Sequence, residues 1–113
     1  MNDLQQATAW ADELTAAGVD AYTDPRGATP PCVLIVPPSQ VFDTDCSALC
    51  QWRAYSLAPG PGNVDAWQAL AAVQPFIVEL LPVETRIYVA VSLSPDNPPY
   101  PAFCYLFEGS VEI

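Results

Sequence analysis

Three groups of residues in this chain could do chemistry: cysteines, neighbouring carboxylates and arginines. The cysteines are Cys32, Cys46, Cys50 and Cys104. Zinc sites built from thiolates usually show two closely spaced pairs, and only Cys46 and Cys50 are close here. A disulfide framework would need an oxidising compartment. We therefore expect reduced cysteines that fill the core as small apolar residues, and we keep zinc binding and disulfides as the alternatives.

Asp43 and Asp45 form a close pair of carboxylates. Such a pair could hold a divalent cation or share a proton, but acid–base catalysis needs a further well-placed partner. The chain contains no histidine and no lysine, which excludes catalysis by an imidazole or through a Schiff base. We expect the pair to lie in a solvated turn. We predict no enzymatic activity, no cofactor and no metal site; an enzyme that uses Asp43, Asp45 and a cysteine is the alternative.

The three arginines, Arg26, Arg53 and Arg86, stand against 13 acidic residues, so the net charge is −10. A domain that binds nucleic acid would carry a basic stripe, which three arginines cannot form. The same acidic balance disfavours anionic membranes. Arg53 and Arg86 each fall within a predicted strand. We expect them to pair with carboxylates of this chain, with pairing to a neighbouring molecule as the alternative.

Helical periodicity predicts two helices, which could hold the cysteines, carboxylates and arginines in position. At 113 residues the chain is expected to be one domain, residues 1–113, with one core. Residues 4–17 place apolar side chains on one stripe, with Asn2 or Asp3 as the cap and Gly18 as the stop. A second helix follows Asn63, and Pro75 should kink it or begin a new short helix. The tryptophans of these elements and of the strands are predicted to be core residues: Trp10, Trp52 and Trp67.

Four strands are predicted from apolar runs and from alternation. Residues 32–36 form an apolar run between proline pairs, and residues 48–57 alternate. Residues 86–93 and 102–107 alternate as well, and a proline-rich loop joins them into an antiparallel hairpin. Residues 39–45 are polar and should be exposed, and residues 19–22 could add a short strand. The predicted fold is therefore α+β, in the order α-β-β-α-β-β, with two helices packed on a mostly antiparallel four-stranded sheet.

Neither a membrane span nor a secretion signal is evident in the sequence. Apolar runs such as residues 76–78 are soon interrupted by a charge or a proline. The first residues lack the basic start and the apolar core of a signal peptide. We therefore expect the protein to stay in a reducing cytoplasm.

A series of short phrases follows in order along the chain. They are Leu-Thr-Ala-Ala-Gly-Val (14–19), Thr-Asp-Pro-Arg (23–26), Pro-Pro-Cys-Val-Leu-Ile-Val-Pro-Pro (30–38), Gln-Trp-Arg (51–53), Pro-Gly-Asn-Val-Asp-Ala-Trp (61–67), Leu-Leu-Pro-Val (80–83) and the closing hairpin. With the predicted order of elements, they resemble the tail terminator family of tailed bacteriophages. More narrowly, they resemble the small head-to-tail connector proteins of phages of actinobacteria. The similarity covers nearly the whole chain.

The resemblance implies a structural virion protein that has no reaction to catalyse. Such a protein caps the end of the growing tail tube as a ring, generally of six copies, and joins the tail to the head or neck. The implied partners are further copies of the chain in a homo-hexamer, the tail tube protein and a head-closure or neck protein. The implied location is the tail or neck of the virion, after assembly in the host cytoplasm. The genomic DNA would pass through an acidic lumen without specific binding.

The interface with other subunits or partners is expected to use charged side chains and one of two loops, residues 39–45 or residues 94–101. The candidate interface residues are Arg26, Asp43, Asp45, Arg53, Arg86, Asp96 and Tyr100. Prolines preorder the second loop, which lowers the entropy lost on docking. Two alternatives remain. The chain could be another neck component, such as a head-closure or adaptor protein, or a small acidic binding module that uses the face of Phe103, Tyr105 and Phe107.

Overall fold

A computed structural model describes residues 1–43, 45–60, 63–96 and 98–113. These residues form two α-helices, one short 3-10 turn and five strands. In chain order the elements are α1 (Asp3–Ala16), β1 (Ala21–Tyr22), the 3-10 turn (Pro25–Gly27), β2 (Cys32–Phe42), β3 (Ser47–Leu57), α2 (Val64–Leu80), β4 (Thr85–Val91) and β5 (Tyr100–Glu112). No helix in these ranges is long and apolar enough to cross a membrane.

The five strands form one sheet in the order β1-β2-β3-β5-β4. The two residues of β1 pair with Val33 and Leu34 in parallel, and all other neighbours are antiparallel. The predicted α+β class is confirmed, but the sheet is mixed and has five strands, not four. Gly18, with a φ of +94°, follows α1 and allows the chain to turn back towards the sheet. The segment at residues 19–22 thereby supplies the extra strand.

Both helices pack on the same face of the sheet. Asn2 caps α1 in a capping box with Gln5, which satisfies donors that the first turn leaves unpaired. The predicted stripe of α1 is largely confirmed. The core between the helices and the sheet contains Ala7, Ala11, Leu14, Leu70, Ile77, Val33, Ile35, Trp52, Phe103, Tyr105 and Phe107. Within it, the rings of Trp10 and Trp52 meet edge to face, with centroids 4.9 Å apart.

The second helix differs from the prediction in two ways. It runs as one element through Pro75, so no new helix begins there. Its buried stripe is Ala66, Leu70 and Ile77, at helical spacing, and Trp67 lies beside this stripe with 62% of its surface exposed. The prediction of Trp67 as a core residue is therefore wrong. Its neighbour Ala66 occupies the inward position instead.

The second strand does not end at Pro37 and Pro38. It continues to Phe42, with a register shift between Val36 and Ser39, so residues 39–42 are strand and not loop. The prolines are tolerated because β1 covers β2 only at its start and leaves the rest of that edge without a described partner strand. The burial predicted for the strand at residues 32–36 and the exposure predicted for the segment after it are largely confirmed. The predicted end of the strand at Val36 and the assignment of residues 39–42 to a loop are wrong.

The C-terminal hairpin is confirmed, although it is not the centre of the sheet. The central strands are β3 and β5, and β4 forms the edge opposite β1 and β2. The apolar side chains of β4 do not face the helices. Ile87 lies on the other face and is 49% exposed, whereas Arg86 and Tyr88 lie on the helix-bearing face.

The face of the sheet opposite the helices carries a second, smaller cluster. Its buried members are Cys32, Leu34, Leu57 and Ala102. Half-buried side chains from the β1 region and the two ends of the β4–β5 loop pack against them, among them Tyr22, Leu93 and Tyr100. This cluster is built mostly from strand residues, with Ala28 and Leu93 added from the connecting segments.

Candidate interaction surface

Within the described residues, the groups that could do chemistry do not assemble into a reactive centre. Cys32, Cys50 and Cys104 are buried thiols, whereas Cys46 is exposed. Burial raises the pKa of all three buried thiols, that of Cys32 to about 11. Protonated thiols are poor nucleophiles and poor metal ligands. No group of three or more potential metal ligands occurs among the described residues. The predicted role as core residues is confirmed for Cys32, Cys50 and Cys104 and is wrong for Cys46, which is exposed.

An open cleft of about 490 Å³ lies between the first turns of α2 and the edge strand β4. We call it the α2–β4 cleft, and it is lined by Asn63, Val64, Ala66, Trp67, Arg86, Tyr88 and Phe103. Trp67 and Tyr88 are each 62% exposed, so two large aromatic side chains flank the opening. Phe103 is buried and its ring meets that of Tyr88 edge to face at 6.2 Å. Exposed aromatic groups in this arrangement are typical of an interaction surface.

Arg86 gives the cleft its charge. Its guanidinium carbon lies 3.9 Å from the centroid of Phe103, a cation–π contact. Its Nη1 donates to Oε1 of Gln74 on α2, and the hydroxyl of Tyr105 donates to the same oxygen at 3.3 Å. Burial raises the pKa of that hydroxyl, although Arg86 opposes the shift. No carboxylate among the described residues forms an ion pair with Arg86. The expected pairing of this arginine with an acid of its own chain is therefore not found.

The turn between β2 and β3 carries a second exposed apolar surface at the other edge of the sheet. We call Val41, Phe42, Asp43 and Asp45 the β2–β3 tip. Val41 is 61% exposed and Phe42 is 66% exposed, and both carboxylates are exposed. The N–H of Asp43 donates to the carbonyl of Ser47 at 3.2 Å, which holds the end of β2 against β3. Residue 44 lies outside the described residues.

A shallow groove of about 500 Å³ lies on the face of the sheet opposite the helices. It is lined by Pro25, Leu34, Val36, Tyr55, Val89, Ala90, Val91, Ser92 and Leu93. Arg26, next to Pro25, pairs with Asp24 at 2.8 Å, and this arginine holds the pKa of the Asp24 carboxyl below its usual range. Arg53 is exposed and lies on the same face, in register with Val36 and Leu106. It too lacks an ion pair within the described part of the chain.

The seven residues predicted for the interface do not share one surface. Asp43 and Asp45 lie at the β2–β3 tip, and Arg86 lies in the α2–β4 cleft. The other four are associated with the face opposite the helices or with the β4–β5 loop: Arg26, Arg53, Asp96 and Tyr100. The predicted loop 94–101 is also shorter than expected, since Tyr100 and Pro101 begin β5; residue 97 lies outside the described residues.

Sequence reasoning missed the exposed aromatic residues of these surfaces. Trp67 was expected in the core, and Tyr88 and Phe42 were not considered as contact residues. One signal was present for Phe42, because an apolar pair, Val41 and Phe42, directly precedes acidic residues in a segment otherwise judged polar. For Trp67 the helical stripe could be drawn through either Trp67 or Ala66, so periodicity alone did not decide which side faces the sheet.

Comparison with known proteins identifies no relative of this chain. No protein-family model, no curated protein sequence and no solved structure matches the chain.

Proposed function

We propose that this protein is a structural component of a tailed phage virion, a tail terminator that caps the tail tube as a ring and joins it to the head or neck. The observation that carries the proposal is the pair of exposed apolar surfaces at opposite edges of one sheet. A head-to-tail contact between two different surfaces of identical subunits generates a ring when the rotation closes. The resemblance of the sequence to tail terminators supplies the biological setting.

The described residues suit assembly better than catalysis. The buried thiols are protonated, the carboxylates of the tip are exposed, and the described residues offer no metal cluster. Large exposed side chains are instead placed on regular elements: Val64 and Trp67 on α2, and Tyr88 on β4. Rigid elements present such groups with little loss of conformational entropy on docking.

The charge of the chain agrees with a channel for DNA. With a net charge of −10 per copy, a ring of these subunits would be strongly acidic. An acidic lumen repels phosphate groups, so the genome would pass without adhering to the wall. The partners in this proposal are other copies of the chain, the tail tube protein and a head-closure or neck protein.

Two further candidate functions remain. Another neck component, such as a head-closure or adaptor protein, would use the same ring-forming surfaces. A small acidic binding module is favoured by the α2–β4 cleft itself, because an open aromatic cleft can accept a single partner side chain or a peptide.

Light scattering of the purified protein, followed by negative-stain imaging of the same sample, separates these classes. The ring proposal predicts closed particles whose mass is a small multiple of the 12.2 kDa chain, near six copies. A protein that remains a monomer and gives no rings would favour the binding module over the terminator. Closed rings would exclude the binding module as the main role.

A further inference from the structure

We propose that the β2–β3 tip of one subunit docks into the α2–β4 cleft of the next, with Phe42 between Trp67 and Tyr88 and Asp43 facing Arg86. The occupant of the cleft is thus a second copy of this chain. The inference rests on the proposed function, because it identifies the contact between subunits that the ring would repeat.

The chemistry of the two surfaces is complementary. The cleft offers aromatic walls, with Phe103 at its base, and Arg86 is the one cation among its described lining residues, which include no carboxylate. The tip offers an exposed phenylalanine followed by an acid. Tryptophan, tyrosine and arginine are enriched among the residues that contribute most of the binding energy of protein interfaces, and aromatic pairs add to the energy of the area they bury.

A subunit cannot fill its own cleft. Along β5, the residue opposite Arg86 is Tyr105, and Val111 lies opposite Ala48, the β3 partner of Phe42. Tyr105 and Val111 are six residues apart, which is about 20 Å of strand at roughly 3.3 Å per residue. Strands β3 and β5 also separate β2 from β4. The tip and the cleft can therefore meet only between different molecules.

Phe42 of the tip and the α2–β4 cleft lie on the same face of the sheet. Phe42 pairs with Ala48, and alternation along β3 puts Ala48 on the same side as Cys50 and Trp52, which face the helices. Gln40 confirms the side, since its amide donates to Asp3 of α1 at 3.1 Å. Cyclic symmetry gives this face the same orientation in every subunit of a ring. The side chain of Phe42 in one subunit therefore lies on the same side as the α2–β4 cleft of the neighbouring subunit.

The strand directions also allow β2 of one subunit to lie beside β4 of the next. Each step from β2 through β3 and β5 to β4 is antiparallel, so β2 and β4 run in opposite directions. The free edge of residues 39–42 can therefore lie beside β4 of a neighbour as an antiparallel strand. Edge strands with unpaired backbone groups readily accept such a partner.

The charges of the chain favour a contact in which a carboxylate of the tip meets Arg86 of the neighbouring subunit. Copies that each carry −10 repel one another, and a carboxylate of one copy finds few cations on the next. Of the three arginines, Arg26 is already paired and Arg53 lies on the opposite face, which leaves Arg86 for the tip. A contact of this size is weak alone and gains strength from ring closure, as small interfaces do.

A dilution series of the purified protein tests the contact directly, without any ring assay. The indole N–H signal of Trp67 in NMR spectra should shift with concentration up to the millimolar range, while the signal of the buried Trp52 should stay in place. Phe42→Ser and Arg86→Glu should each weaken the association about tenfold or more. The exchanged pair Arg86→Glu with Asp43→Arg should restore most of it, which a merely structural role of either residue would not do.

Two matched variants control for surface changes. Phe76→Ala removes an exposed aromatic side chain from the same helix as Trp67, nine residues away and so on its opposite side, and Arg53→Glu makes the same change of charge on the other face of the sheet. Both should associate as the unchanged protein does, whereas Trp67→Ala should not. Circular dichroism of every variant separates a lost contact from a lost fold.

The outcomes distinguish this contact from the proposed function. Association that is unaffected by Phe42→Ser and Arg86→Glu, or the lack of any association at millimolar concentration, overturns the contact. Rings that form normally with both variants overturn it too, and they leave the ring function intact. Association that responds to the variants supports the contact even if the protein never caps a tail tube, a result that would overturn only the terminator proposal.

Discussion

Arg86 lies over the ring of Phe103, with its guanidinium carbon 3.9 Å from the ring centroid. The same guanidinium donates to Gln74, so one side chain links the edge strand β4 to β5 and to α2. This arrangement fixes a cation beside the aromatic side chains of the α2–β4 cleft. It also makes the arginine part of the fold as well as part of the surface.

The contribution of this link to stability can be measured with Arg86→Lys. Lysine keeps the charge but loses the planar group that stacks on Phe103 and reaches Gln74. We expect the free energy of unfolding in urea to fall by about 0.5–1 kcal/mol, the size of an exposed cation–π contact. The control is Arg53→Lys, at an exposed arginine of the same sheet that stacks on no aromatic ring of the described residues. An equal loss in both variants would show that the contact with Phe103 contributes nothing.

The buried thiol of Cys32 predicts a loss of stability at alkaline pH. Burial, with a smaller effect of Asp20, raises its pKa from 9.0 to about 11 in the folded chain. The unfolded thiol ionises above about 9 while the folded thiol stays protonated, so unfolding becomes easier as the pH rises through this window. From the size of the shift we expect a loss of about 2–3 kcal/mol by pH 11. Cys32→Ala should remove this contribution, and a pH dependence identical in the two proteins would contradict the assignment.

Pro75 should be a site where stability can be gained. It lies inside α2, it is exposed, and it supplies no amide to the helix. Pro75→Ala restores a backbone donor and a residue with high helix propensity, so we expect the free energy of unfolding to rise by about 1–3 kcal/mol. Thermal unfolding followed by circular dichroism measures the gain. Pro82→Ala, just beyond the helix, is the control and should not stabilise; a melting temperature that stays the same in Pro75→Ala would show that the helix has adapted to its proline.

Sequence patterns predicted the elements of this fold better than their positions in the sheet. Alternation identified β3, β4 and β5, because cross-strand packing imposes a period of two. It could not tell that β4 is an edge strand, since its apolar residues face away from the helices and Ile87 stays half exposed. The two-residue strand β1 was too short for periodicity, and the prolines of β2 concealed a strand that continues along an edge.

The candidate surface was harder to predict than the fold. Asp43 and Asp45 were correctly expected to be exposed. Of the charged residues proposed for the surface, however, only Asp43, Asp45 and Arg86 fall on the two surfaces that carry aromatic groups. Trp67 was missed because an exposed tryptophan contradicts the usual preference for burial. The proximity of Trp67 to Tyr88 depends on how α2 crosses the edge strand, which no local pattern encodes.

The central claim is that the protein terminates tail tubes as a ring, and purified tail tubes test it most directly. Tubes mixed with the protein and imaged by negative stain should acquire a ring at one end only, and capped tubes should no longer elongate when tail tube subunits are added. A Trp67→Ala variant should cap few ends, whereas Phe76→Ala should cap as many as the unchanged protein. Tubes that stay open and continue to grow at saturating protein would contradict the claim.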